Sequence, residues 1–284
     1  GRLGGLGDYC PAGRAAAAAW VGRRLRPAKP ERIQPRRVRV HGMDLAPDLD
    51  GRTALVTGSA TRVGRELLLT LAACGADVAV HYRTSDEAAE ATAAEAREYG
   101  VDATTVSGDV TDPDAVDALF DDAEAALGTV DVLVNNVGNF DPRHWSEIEW
   151  PAWRDAVEST FYGTVLCSRR ALDGMREQGW GRIVNVGFAD SDRMHAHPVN
   201  FPYFVGKTGV IMFTRMLAAD TRDDGITVTA VSPFAVETTV PDVSSFPRGR
   251  PASCAEVAAP MRFFLADYAA YTSGDHVALA ERRL

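Results

Sequence analysis

The sequence predicts a single doubly wound α/β domain, a parallel sheet with helices on both faces. Three observations carry this. From residue 51 onward, short apolar runs alternate with helical patterns at regular spacing. A glycine-bearing turn, TGSATRVG at 57–64, joins the first strand to the first helix. Most of the residues suited to chemistry fall just after strands. Strands separated by helices imply right-handed βαβ crossovers, and ligands in such sheets bind beyond the carboxyl ends of the strands.

The elements follow in order. TALVTG (53–58) reads as a buried strand stopped by glycine, and VGRELLLTLAACG (63–75) has helical apolar spacing up to Gly75. DVAVHY (77–82) is a second strand, and SDEAAEATAAEAREYG (85–100) a polar, alanine-rich helix. ATTVSGDV (103–110) is a third strand. DPDAVDALFDDAEAALG (112–128) carries an acid and a proline in its first turn and a glycine at its end, the marks of a helix. VDVLVNNVG (130–138) is a fourth strand, followed by one long helix over 150–179. GRIVNVGFA (181–189), a helix over 202–225, ITVTAVSP (226–233), a helix over 254–267 and a short HVALA strand (276–280) complete the pattern.

Composition narrows the function classes. No apolar run approaches the ~20 residues that span a bilayer, so no membrane partner is expected. Cys10, Cys74, Cys167 and Cys254 are scattered without a CxxC, which argues against a disulfide framework or a metal site and fits a reducing, cytoplasmic setting. Residues 1–42 hold ten basic and two acidic residues, leaving twenty basic and thirty-seven acidic ones for 43–284. An acidic body excludes nucleic acid as a natural partner. It fits adaptation to a salty cytoplasm, or an arginine-biased genome and an acidic protein. The basic segment 1–42 is expected to be a disordered extension or the product of an upstream start, with a domain from Met43 to Leu284; a transit peptide or a basic arm are the alternatives.

The turn at 57–64 presents unpaired backbone N–H groups at a helix N-terminus, which suits a pyrophosphate. Gly58 permits the turn and Gly64 lets the helix approach the sheet. The second strand ends HYRTS (81–85) with no carboxylate at its tip, where an acid would bind a ribose diol. Arg83, Thr84 and Ser85 suit a 2′-phosphate instead, with Arg62 adding charge. NADP(H) is therefore the expected cofactor.

With these motifs in order, residues 50–280 resemble the short-chain dehydrogenase/reductase family. TGSATRVG stands for its TGxxxGxG with Arg62 at the middle glycine, NNVG (135–138) for its NNAG, GDV (108–110) for its acidic pair, and YFVGK (203–207) for its YxxxK. The loop arginine and HYRxS look like the pteridine reductases, and the outline is similar to the 3-oxoacyl-acyl-carrier-protein reductases; both groups use NADPH. The resemblance implies a Rossmann fold and a homodimer or homotetramer packed through the helices that carry Thr160 and Tyr203, where Trp153, Phe161, Val165, Met212, Phe213 and Met216 are apolar. It implies a cofactor-binding set of Gly58, Thr61, Arg62, Val63, Gly64, His81, Arg83, Thr84, Ser85, Asp109, Val110, Asn136, Gly138, Tyr203, Lys207, Pro233 and Thr238.

Tyr203 and Lys207 are one helical turn apart and share a face. The chain has two lysines, Lys29 and Lys207, against twenty-eight arginines, so a lysine kept at this spacing is informative. An ammonium beside a phenol stabilises the phenolate and lowers its pKa, and the pair is expected to deliver a proton to a carbonyl oxygen. Departures from the family accompany it. The serine of the fifth strand falls at Phe188, so Asp190 or Ser191 is expected to take its place; loop positions facing water are the alternative. The family asparagine falls at Thr160, which either holds a relay water or is a plain helix residue, and Pro233-Phe234 replaces PG. His195 and His197 alternate like a metal pair, but without a third ligand they read as loop residues. Two functions stand at this point: an NADPH-dependent reductase of a carbonyl or pterin-type bond, and a nucleotide-binding protein that has lost its chemistry.

Overall fold

In a computed structural model of the chain, the described residues are 39–40, 43–44, 46–193, 198–239 and 250–279. The chain divides into Gly1–Pro30, wholly outside those residues, and Glu31–Leu284. The second unit begins with a small antiparallel pair, β1 (Arg39–Val40) and β2 (Met43–Asp44), across the boundary expected at Met43. His195 and His197 lie outside the described residues.

The main sheet has seven parallel strands: β3 (Thr53–Val56), β4 (Asp77–Tyr82), β5 (Ala103–Ser107), β6 (Val130–Asn135), β7 (Gly181–Val186), β8 (Ile226–Pro233) and β9 (His276–Leu279). Their order is β5-β4-β3-β6-β7-β8-β9. The chain starts in the middle, winds outward to β5, then returns to β6 and winds the other way. This Rossmann-like order leaves a crevice at the carboxyl ends of β3 and β6, where the winding reverses. β6, β7 and β8 are buried along their whole length, as expected where helices cover both faces.

The helices are α1 (Arg62–Ala73), α2 (Asp86–Arg97), α3 (Pro113–Leu127), α4 (Trp150–Val157), α5 (Gly163–Gln178), α6 (Phe201–Asp220) and α7 (Cys254–Phe264). Local chemistry sets several of their ends. The Asp112 side chain accepts from Asp114 N with Pro113 at the first position of α3, and Ser253 with Glu256 forms a reciprocal capping box on α7. Two apolar clusters sandwich the sheet. One packs α1, α2 and α7 on Val56, Val78, Val80 and Val134, and the other packs α3 and α5 on Leu55, Leu133 and Ile183.

The long helix expected over 150–179 forms as Trp150–Gln178 but is not α-helical throughout. Glu158–Tyr162 forms a π-helical turn between α4 and α5. Next to it a polar bolt crosses the buried core. Asn135 Nδ2 donates to Ser168 Oγ (3.0 Å) and Asn185 Oδ1 (2.9 Å), while Asn185 Nδ2 donates to Thr214 Oγ1 (2.9 Å). It ties β6, β7, α5 and α6 into one unit and fixes the helix that bears Tyr203.

Candidate active site

The glycine turn is built by bonds between side chains and backbone at the exits of β3 and β6. Thr57 Oγ1 accepts from Asn136 N (2.9 Å) and Val137 N (3.3 Å), and Asn136 Nδ2 donates to Thr57 O (3.0 Å) and Gly58 O (3.3 Å). Gly58 sits at φ 65°. A Cβ on Gly64 would lie 2.2 Å from Gly58 O, so only glycine lets α1 start this close to the turn. A pyrophosphate would fit this turn, at the start of a twelve-residue helix with its first amides free of intrahelical partners.

From the turn a cleft of about 230 Å³ runs along the tips of β4 and β5. Gly58, Thr61, His81, Arg83, Thr84, Ser85, Asp109 and Val110 all line it, as the motifs predict. Arg83 is exposed and its Nη1 lies 3.3 Å from Asp109 Oδ2. Partial burial pushes the Asp109 pKa up, but the Thr111 amide and hydroxyl, joined by Arg83, hold it below the usual carboxylate range. Arg62 is exposed in the left-handed region at φ 54°. Val63 and Gly64 follow it in the first turn of α1. Six liners are absent from the expected set: Ala60, Tyr82, Gly108 and Val137 lie inside the motifs themselves, Asn139 follows NNVG, and Ser159 precedes Thr160.

Beyond the cleft, four predicted residues converge. A Cβ on Gly138 would lie 3.2 Å from Thr160 Oγ1, 3.3 Å from Lys207 Nζ and 3.3 Å from Tyr203 Cε2. Lys207 Nζ is 5.4 Å from the Tyr203 ring centroid, so amine and phenol do share a face of α6. Lys207 is buried at 2% exposure and Nζ donates to Val186 O (2.5 Å). Close packing brings α6 there: a Cβ on Gly206 would lie 2.9 Å from Thr160 Cβ, and one on Gly209 would lie 3.0 Å from Phe161 Cδ2. The π turn presents Thr160 Oγ1 at this junction, buried and without a hydrogen-bond partner.

Electrostatics at the pair differ from the sequence expectation. Burial dominates: it raises the Tyr203 pKa well above that of an ordinary phenol and pushes Lys207 down to about 7. In the free protein the phenol is thus held protonated, a state that suits donation of a proton to substrate. The lysine is the group poised near neutral pH.

Phe188 occupies the expected serine position and joins a ring cluster. It is 4.7 Å from Phe204 and 5.5 Å from Phe234, and Phe140 stands edge-on to Tyr203 at 5.7 Å. Ser191 N donates to Phe188 O (3.1 Å), and Ser191 Oγ is buried without a partner, while Asp190 is half-buried. Of the two candidates for the missing hydroxyl, Ser191 is the one whose buried side-chain oxygen lacks a partner. Pro233 ends β8 beside Leu279 of β9, and Thr238 is exposed in the following turn, 3.9 Å from Cys254 Sγ. Three bonds tie 141–145 to 198–200, ahead of α6: Asn200 N donates to Arg143 O, Trp145 N donates to Pro198 O, and Asn200 Oδ1 accepts from Asp141 N. Among the described residues no group of His, Cys, Asp and Glu could hold a metal ion, and no helix is long and apolar enough to cross a membrane.

A dinucleotide crevice at the winding reversal, with a tyrosine–lysine pair beside it, defines an oxidoreductase that works with a nicotinamide cofactor. The chain belongs to the short-chain dehydrogenase family, whose model matches residues 52–245. It is 30% identical over 236 residues to the 3-oxoacyl-(acyl-carrier-protein) reductase of Staphylococcus aureus, covering 80% of this chain and 95% of the relative. It is 32% identical over 234 residues to that of Synechocystis, covering 80% and 94%. A crystal structure described as a short-chain alcohol dehydrogenase from Sinorhizobium meliloti superimposes with a TM-score of 0.74 at 30% identity, covering 81% of this chain and 95% of that one.

Proposed function

We propose that the protein is an NADPH-dependent reductase acting on a carbonyl, in the manner of the 3-oxoacyl-(acyl-carrier-protein) reductases it is similar to, or on a pterin-type C=N bond. The observation that carries this is the convergence of Gly138, Thr160, Tyr203 and Lys207 at the end of the cleft. Gly58, Gly64 and Asn136 would hold the pyrophosphate, Arg83, Thr84 and Ser85 the 2′-phosphate, and Asp109 and Val110 the adenosine. Bound there, NADPH supplies the hydride. Tyr203 gives its proton to the substrate oxygen or nitrogen. Lys207 stabilises the phenolate left behind and orients the cofactor's sugar, and Thr160 supports return of the proton from solvent. Pro233 and Thr238 border the nicotinamide side. The exposed Tyr162, Val205, Met212 and Met216 support assembly as a homodimer or homotetramer, and the reaction is a cytoplasmic one.

Consumption of NADPH with a 3-oxoacyl thioester, a ketone and a dihydropterin tests the proposal, with turnover expected on at least one. The Phe188–Phe204–Phe234 cluster favours a second reading, a nucleotide-binding protein without turnover. Tight NADPH binding with no oxidation on any of these substrates would establish that reading.

A further inference from the structure

The dinucleotide turn is braced from behind by a histidine whose two ring nitrogens are both committed to protein groups. His81 is 2% exposed at the end of β4. Its Nδ1 accepts from Gly58 N (2.9 Å), and its Nε2 lies 3.1 Å from Gly108 O. An acceptor at Nδ1 and a donor at Nε2 define one neutral tautomer. The backbone of the same residue adds two bonds: Ser59 N donates to His81 O (2.9 Å), and His81 N donates to Ser59 Oγ (3.0 Å). One side chain thus joins the β3–α1 turn to the exit of β5, the two segments that border the cleft.

We propose that His81 is the positioning residue for the dinucleotide turn, that it works only as the neutral Nε2–H tautomer, and that its protonation lowers dinucleotide affinity. This rests on the dinucleotide reading of the cleft. Protonation would place an N–H against the Gly58 N–H, donor against donor, in a site closed to water. The turn must then lose its brace or shift, and Gly58 is where the turn bends at positive φ. The charged groups around the ring are few. Asp109, at the exit of β5, acts on it from the front and is paired with Arg83 from the exit of β4. Arg62, on the turn, is exposed. Burial, working against the Gly108 carbonyl and Asp109, moves the imidazole pKa below its ordinary value. The brace therefore holds at neutral pH and fails on the acid side.

Calorimetric titration of the full chain with NADP+ and with NAD+ tests this from pH 8 downward. NAD+ is included because a 2′-phosphate itself titrates near pH ~6. Affinity for both ligands should be level at neutral pH and fall by about tenfold per pH unit below the histidine's own pKa, as the neutral fraction shrinks. His81→Leu should weaken both ligands at pH 7.5 by at least about tenfold. His81→Asn, whose amide oxygen can still accept from Gly58 N, should recover part of that loss, and its NAD+ affinity should no longer depend on pH. His81→Leu binding like the wild type, or His81→Asn keeping the wild-type pH profile, overturns the proposal. If the variants do not fold, nitrogen NMR of the wild-type imidazole decides: a proton on Nδ1 at pH 7.5 overturns it, and one on Nε2 supports it. A wild type that binds neither dinucleotide at any pH would instead sink the function proposed above.

Discussion

The two halves of the crevice are made of different materials. The dinucleotide half is a lattice of hydrogen bonds between backbone and short polar side chains: His81 and Asn136 bond Gly58, and Ser59 and Thr57 in turn bond His81 and Asn136. The substrate half is a set of phenyl rings, Phe140, Phe188, Phe204 and Phe234, around one phenol. Hydrogen bonds fix atoms in direction as well as distance, whereas ring contacts fix mainly volume. The first half is thus committed to one kind of ligand, and the second can be repacked to suit another. Substitutions that separate the halves measure how independent they are.

The largest expected effect is on chemistry alone. Tyr203→Phe keeps the ring and removes the proton donor, so turnover should fall by about 10²–10⁴-fold. NADPH affinity, read by cofactor fluorescence, should stay within about twofold. An unchanged rate would remove Tyr203 from the mechanism. Next comes the ring cluster. Phe188→Ser empties space between Phe204 and Phe234, and a thermal or denaturant melt should show a loss of about 3 kcal/mol, again without weakening NADPH. Parallel losses in stability and cofactor affinity would mean that the halves are coupled.

Smaller effects sharpen the picture within each half. Arg83→Asp should shift the ratio of NADPH to NADH affinity by about tenfold or more toward NADH, while kcat on the better cofactor holds. The modest size follows from the exposure of Arg83, and an unaltered ratio would show that Arg83 does not read the phosphate. On the substrate side, Lys207 sits near its titration point at about 7. Above that value its folded form loses the positive charge that stabilises the Tyr203 phenolate. Reduction measured as kcat/KM should therefore decline as pH rises through about 7, by up to about tenfold per unit. A profile level from pH 6 to 9 would assign the lysine a positioning role instead.

Much of the first half is legible in the sequence, because its signals are local. Glycines at 58 and 64, an NNVG run and a polar strand exit at Arg83-Thr84-Ser85 each act through backbone conformation or charge near their own position. The tyrosine–lysine pair is legible for the same reason, since one helical turn brings the two together. What stayed hidden depends on contacts between distant segments. No residue in ESTFY announces a π turn, and its contacts with Gly206 and Gly209 of α6 are invisible until the helices are packed. Asn135 and Asn185 look like strand residues until both strands and two helices are in place. His81 reads as a cleft contact, and its service to Gly58 and Gly108 appears only once three strands are side by side. The direction of the Tyr203 pKa shift is not legible either, because a charge four residues away is visible in sequence and desolvation is not.

The π-helical turn between α4 and α5 also limits how the gene can change length. Each residue in a helix advances the chain by about 100°. A π turn takes up one extra residue, so loss of one codon within 158–162 would let a regular helix run through with α4 and α5 still in register. The cost would fall inside the turn, where Thr160 would leave the junction with Gly138 and Gly206. Insertions and deletions should be tolerated in exposed turns, and this buried stretch should keep its residue count even where its side chains drift.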